Sequence, residues 1–158
     1  MKTSKRAFSR RARLILVAVL LVALPVCTLP FPQSVNLTLD GIRVSTEDEF
    51  VFLGNTELRI VGKFYRYLFR ADRFEVKIYI DDELFSPLPF NMQAWNGYLV
   101  GVITYYNAYQ NRMESLGQMV VSKSLDEFAL MQKDWITIYA PASSAEEALR
   151  IATKMGFA

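Results

Sequence analysis

The residue types that most often carry enzyme chemistry are scarce in this sequence. It has no histidine, and Cys27 is its only cysteine. The commonest general base, the usual zinc ligand and the Ser-His-Asp arrangement are therefore missing together. Two acidic runs, Glu47-Asp48-Glu49 and Asp81-Asp82-Glu83, lack the alternating ligand spacing of a calcium loop and are typical of solvated turns. We predict no enzyme, no metal and no cofactor; a hydrolase with two converging carboxylates is the less favoured alternative.

The residues best suited to binding are bases interleaved with tyrosines between Arg59 and Tyr79, where cations outnumber acids. Such interleaving on one sheet face is typical of surfaces that bind an anionic polymer or lipid headgroups. The simpler interpretation is an exposed face in which cross-strand pairs each contribute about 0.2–1 kcal/mol to folding. The predicted binding residues are Lys63, Tyr65, Arg66, Tyr67, Arg73, Lys77 and Tyr79.

Two strands must position these side chains. In residues 57–68 and again in residues 73–81, even positions are largely apolar and odd positions are charged or aromatic, a period of two. A hairpin that buries both apolar sets needs a connection with an odd number of residues. A three-residue loop at 70–72 satisfies this condition, and it predicts that Tyr65 lies opposite Lys77.

The remaining elements indicate the fold class. Asp40-Gly41 is typical of a hairpin turn between two short alternating strands. Capping boxes at residues 124–127 and 144–147 predict a short helix to about Met131 and a C-terminal helix that Gly156 ends. We therefore expect an α+β fold, a mostly antiparallel β-sheet of about six to eight strands with both helices packed on it.

The tryptophans have two interpretations. Trp95 and Trp135, together with Tyr105, Tyr106 and Tyr109, have the composition of an aromatic groove for a glycan or a peptide. Large aromatic side chains are also the usual material of a hydrophobic core. We expect core packing.

The N-terminus predicts the location. Residues 1–13 contain six cations and form a basic cytoplasmic tail, and residues 14–31 form a transmembrane signal anchor. As a helix this anchor would span roughly 27 Å, near the lower limit for a bilayer core. A cleaved signal peptide and a lipid-modified Cys27 are the alternatives, although no A-x-A-like site follows and Val26 is atypical before a lipidated cysteine. Residues 32–158 are predicted to be a single exported domain.

Charge and cysteine usage narrow the function. Without the six N-terminal cations, 12 Lys and Arg face 16 Asp and Glu, a net charge of −4, so we expect no nucleic-acid partner. An exported domain without disulfides is more typical of a bacterial cell envelope than of small animal secreted modules. We predict a single-pass, membrane-anchored, extracytoplasmic interaction or accessory domain whose partner is an envelope protein, an anionic polymer or lipid. A ligand-sensing ectodomain that acts through a membrane partner is the alternative.

Overall fold

The computed structural model describes residues 14–21, 29–47 and 50–157. Residues 14–21 are helical, a 3₁₀ turn covers Lys133–Trp135, and the C-terminal helix covers Ala145–Met155. The strands are β1 (Phe31–Ser45), β2 (Val51–Arg66), β3 (Asp72–Ile80), β4 (Glu83–Phe85), β5 (Phe90–Trp95), β6 (Tyr98–Asn107), β7 (Arg112–Ser122), β8 (Phe128–Gln132) and β9 (Ile136–Ala140).

Eight of these strands close into a barrel. Their order is β2-β1-β9-β8-β7-β6-β5-β3, and β3 pairs with β2 to complete the ring, while β4 adds to β3 outside it. All of these pairings are antiparallel. The expectation of a mostly antiparallel β fold is confirmed, although the sheet closes on itself and the helical share is smaller than an α+β class implies.

The barrel interior is a packed core. An eight-stranded barrel is just wide enough for side chains to fill it or to enclose one small ligand. Here the rings of Phe64 and Phe74 stack with centroids 4.5 Å apart, and Phe74 and Phe90 stack at 5.7 Å. All three belong to the buried cluster inside the barrel. This aromatic stack occupies the space in which an enclosed ligand would lie.

The C-terminal helix covers part of the outer barrel surface, as its capping residues predict. Ser144 accepts a hydrogen bond from the backbone N–H of Glu147, and Gly156 ends the helix with φ 81°. Its buried face is mostly small, which allows close approach to the sheet. That face consists of Ala148, Ile151, Ala152 and Met155, and it packs in one cluster with Ile42, Val44, Val120, Ala129 and Tyr139.

The predicted turn at Asp40-Gly41 is wrong, because β1 continues through it to Ser45. The apolar side chains of β1 point into the barrel before Gly41 and towards the C-terminal helix after it, from Ile42 onwards. This change of apolar face resembles a chain reversal in the sequence. Gly41 instead allows a close approach of β1 to β9: a Cβ there would lie 3.1 Å from the carbonyl oxygen of Tyr139, tighter than most such contacts.

The predicted short helix from residue 124 to 131 is also wrong, since residues 128–132 form β8. The capping-box side chains bind elsewhere. Ser124 donates its hydroxyl hydrogen to Asp126, and both carboxylate oxygens of Glu127 lie 2.7 Å from the ammonium of Lys154 on the C-terminal helix. Glu127 therefore ties that helix to the β7–β8 connection.

The N-terminal prediction lies partly outside the described residues, which omit 1–13 and 22–28. Within residues 14–21, 29–47 and 50–157, no helix has the length and apolar character needed to cross a membrane. Phe31, predicted as the end of the span, is the first residue of β1. Residues 31–34 therefore belong to the sheet. The anchor itself stays a prediction.

A polar cluster occupies the end of the barrel opposite the β2–β3 connection. Asp81 accepts hydrogen bonds from the Thr56 hydroxyl and the Glu57 backbone N–H, both at 2.8 Å, and pairs with Arg43 at 2.8 Å. Partial burial acts to raise the pKa of Asp81, but these three donors outweigh it and hold the pKa below its usual value. The carboxylate thus joins β1, β2 and β3.

We predict that Asp81→Asn lowers stability at neutral pH, and that the loss relative to the parent shrinks below about pH 4. The folded pKa is below the unfolded one, so the stabilisation is present above the unfolded pKa and disappears as pH falls through the folded value. Urea unfolding midpoints from pH 7 to pH 2 measure this. Asp82→Asn, outside these contacts, is the control; parallel pH profiles for the two variants would contradict the prediction.

Gly62 tests the close approach of β2 and β3. Gly62 and Gly54 have similar dihedrals, φ 156° and 150°, but a Cβ at Gly62 would lie 2.2 Å from the carbonyl oxygen of Glu75, whereas Gly54 has nothing within 4 Å. Both alanine variants carry the backbone strain, and only Gly62→Ala adds the clash. We expect Gly62→Ala to lose about 2 kcal/mol more unfolding free energy than Gly54→Ala. Equal urea midpoints would show that the strands are not this close.

Candidate functional site: a basic sheet face

The hairpin of β2 and β3 has the predicted faces but a different register. The even-numbered residues from Leu58 to Phe64 of β2 and from Phe74 to Ile80 of β3 point into the core, as expected. The connection is residues 67–71, and Tyr65 pairs with Arg73 rather than with Lys77. The loop lacks glycine, and the Asp72 carboxylate closes it by accepting the backbone N–H of Tyr67 at 3.0 Å.

Odd-numbered residues of the two strands form one outward surface, called the basic face below. Its cross-strand pairs are Arg59 with Tyr79, Val61 with Lys77, Lys63 with Glu75, and Tyr65 with Arg73. Five of the seven predicted binding residues therefore come together here: Lys63, Tyr65, Arg73, Lys77 and Tyr79.

Glu75, the acid among the four cross-strand pairs of the basic face, is engaged by its neighbours. Glu75 pairs with Arg73 at 2.9 Å and accepts a hydrogen bond from the Tyr65 hydroxyl at 3.3 Å. Partial burial, followed by the negative charge of Glu75 and this hydrogen bond, raises the pKa of Tyr65, so the phenol stays protonated at neutral pH. Arg59 lies over the ring of Tyr79, 5.4 Å from its centroid.

Lys63 and Lys77 differ from the other cations of the basic face. Both side chains are exposed, and in the described part of the chain the ion pairs involve neither of them. Lys77 also lines a depression of about 430 Å³ between β2, β3 and the proline-rich segment at residues 86–89. These two ammonium groups are therefore available to an anionic ligand.

β1 supplies a polar border to the basic face that was not predicted from the sequence. Ser34, Asn36 and Thr38 are exposed and lie opposite Lys63, Val61 and Arg59. Their hydroxyl and amide groups extend the basic face with uncharged hydrogen-bonding groups. The alternation of residues 34–38 was the available signal, but the erroneous turn at residue 40 separated this strand from its partner.

Arg66 and Tyr67, the other two predicted binding residues, lie away from the basic face. They line a depression at the end of the barrel together with Phe31, Leu68 and Lys123. The Arg66 guanidinium donates a hydrogen bond to the backbone carbonyl of Lys123. These residues therefore belong to a second surface.

The expectation that Trp95 and Trp135 pack in the core is wrong. They are 42% and 63% exposed and line separate depressions of about 540 and 480 Å³, which share Met131 and Phe157. Trp95 stacks on Phe157 with centroids 5.9 Å apart. Neither depression is lined by the tyrosines at 105, 106 and 109, so the structure does not bring the five aromatics together.

A hydrolase that uses two carboxylates would need both of them to line one depression. Five depressions formed by described residues are each lined by at most one carboxylate. No group of three or more possible metal-ligating side chains occurs among residues 14–21, 29–47 and 50–157. The basic face is the surface on which five of the seven predicted binding residues come together.

A comparison with known protein families, with curated protein sequences and with solved structures finds no significant match to this chain. Function has to be inferred from the basic face and its surroundings.

Proposed function

We propose that this protein is a non-enzymatic binding domain of the bacterial cell envelope, held on the outer side of the membrane by its N-terminal segment, and that its basic face binds an anionic polymer. One observation carries the proposal. Lys63 and Lys77 are exposed and make no ion pair among the described residues, and Glu75, the acid that lies between them on the basic face, is already paired with Arg73.

The shape of the basic face favours a polymer over a compact ligand. A small ligand usually has most of its surface enclosed by a pocket, whereas this face is the open outer surface of paired strands. Lys63 and Arg59 lie four residues apart on β2, or about 13 Å at 3.3 Å per residue. Cations spaced along a strand in this way match charges repeated along an extended chain.

Distance from the membrane favours a polymer over lipid headgroups. Arg59 lies seven residues along β2 from Arg66 at the barrel end where β1 begins, which is about 23 Å of strand. Electrostatic attraction to a charged surface falls off over about 8 Å at physiological salt. If the N-terminal segment holds that barrel end at the membrane, headgroups cannot reach the far half of the basic face.

Some of the basic face also stabilises the fold. The contact of Arg59 with Tyr79 joins β2 to β3. The Arg73–Glu75 ion pair lies within β3. Removing those residues would mix folding with binding. Lys63 and Lys77 have no such contacts, so they are the residues on which binding can be tested.

A ligand-sensing ectodomain remains the alternative function, and one observation favours it. The depressions beside Trp95 and Trp135 meet at Phe157, which the C-terminal helix positions against the barrel. A planar sugar or a peptide side chain could stack on these exposed rings.

We predict that Lys63→Ser/Lys77→Ser loses roughly 30-fold in affinity for anionic wall polymer at low salt, taking about 1 kcal/mol for each cation near an anionic surface. The measurement is co-sedimentation of detergent-solubilised protein with wall sacculi, before and after chemical removal of their anionic polymer. Binding of the parent should weaken as salt rises.

The matched control is Lys123→Ser/Lys133→Ser, which removes two exposed cations that lie outside the basic face and, like Lys63 and Lys77, make no ion pair among the described residues. It should bind as the parent does. Equal losses in the two double variants would mean that only net charge matters. Parent binding that survives removal of the anionic polymer would contradict the proposal.

A further inference from the structure

We infer that the barrel end around the β2–β3 loop docks onto the bilayer surface from which the N-terminal segment emerges. This inference rests on the proposed extracytoplasmic location and adds a lipid-facing surface to it. The surface, called the entry tip below, consists of Leu29, Phe31, Arg66, Leu68, Phe69 and Arg70.

The entry tip exposes four large apolar side chains. Phe69 is 77% exposed, and Leu29, Leu68 and Phe31 are 59%, 57% and 52% exposed. Leu68 and Phe69 are consecutive in a hairpin loop, where polar residues or glycine are usual. Neither belongs to the two hydrophobic clusters formed by the described residues. The fold does not need them at this place, which points to an outside partner.

Cations surround this apolar pair. Arg66 and Arg70 lie on either side of Leu68 and Phe69 in the sequence. Lys123 lines the depression at this end of the barrel together with Arg66 and Leu68. Arg70 lies over the ring of Tyr67, 5.2 Å from its centroid. The acid of this depression, Asp72, is engaged by the Tyr67 backbone N–H. Exposed apolar side chains bordered by cations and a tyrosine are typical of surfaces that enter the headgroup region of an anionic membrane.

The course of the chain identifies the bilayer as the occupant. Phe31, the first residue of β1, pairs with Arg66, the last residue of β2. Only Leu29 and Pro30 separate β1 from residue 28, which lies in the segment predicted to cross the membrane. Three residues reach at most about 10 Å. The entry tip therefore cannot move far from that segment, and its apolar loop faces the nearest apolar phase.

The test uses full-length protein with Cys27→Ser, reconstituted into vesicles of phosphatidylglycerol and phosphatidylethanolamine. A polarity-sensitive fluorophore is attached at Ala71→Cys, in the β2–β3 loop, or at Ala108→Cys, in the β6–β7 turn. Both alanines are exposed, and β6 separates their ends of the barrel by about 30 Å. Lipids with a nitroxide near the headgroup quench fluorophores at the membrane surface.

We expect several-fold greater fractional quenching at position 71 than at position 108. Leu68→Ser/Phe69→Ser should remove that difference, whereas Leu84→Ser/Leu88→Ser, an exposed apolar pair elsewhere, should preserve it. Equal quenching at both positions would overturn the inference. A blue shift at position 71 without quenching by nitroxide lipids would also overturn it, because the loop would then be covered by protein, such as a second copy.

Extraction of the same vesicles at alkaline pH separates this inference from the proposed location. Protein that resists extraction but shows no quenching at position 71 overturns docking and leaves the membrane location intact. Protein that is quenched but released by extraction supports docking and contradicts a membrane-spanning anchor.

Discussion

Pairing of β2 with β3 closes the barrel, and the surface chemistry of this protein depends on that closure. Because side chains alternate across a strand, a hairpin that places Ile60 and Ile78 in the core must place Val61 and Lys77 outside. The same alternation puts all the charged side chains of both strand interiors on one outward surface. Core packing and the basic face are therefore two consequences of a single pairing.

The sequence predicts β2 and β3 and their buried faces because every second residue of a half-buried strand must be apolar, and this alternation is visible in a short stretch of sequence. It does not predict register, which here depends on Asp72 reaching the backbone of Tyr67 across a five-residue loop. Nor does it predict where a second layer begins. From Ile42 onwards the C-terminal helix covers the outer side of β1, so the apolar residues change from one face of the strand to the other. The sequence pattern alone does not distinguish this change of face from a hairpin turn.

Side-chain contacts across long sequence separations explain the other errors. Residues 124–127 have the composition of a helix start, yet Glu127 accepts a hydrogen bond from Lys154, 27 positions away on the C-terminal helix. Trp95 and Trp135 are large enough for the core, yet the interior is already filled by a phenylalanine stack. Of the seven predicted binding residues, five share the basic face and only Arg66 and Tyr67 lie elsewhere. That these residues bind an anionic ligand stays a prediction.

The two proposed surfaces divide the barrel along its length. The entry tip lies where the chain enters β1, and it carries exposed apolar side chains beside cations. The basic face runs along β2 and β3, and it carries mainly charged and aromatic side chains. An arrangement with the tip at the membrane would leave the basic face directed sideways into the envelope. Lipid and polymer would then bind to different residues without competition.

Lysine acetylation footprinting can show whether polymer binds at the basic face, because it reports on each ammonium group in the unaltered protein. The protein is treated with a limiting acylating reagent, with and without soluble anionic wall polymer, and modification is quantified by mass spectrometry. If the basic face binds the polymer, we expect polymer to protect Lys63 and Lys77 while Lys133 reacts as before. Uniform protection of all three lysines, or protection of Lys133 alone, would contradict it.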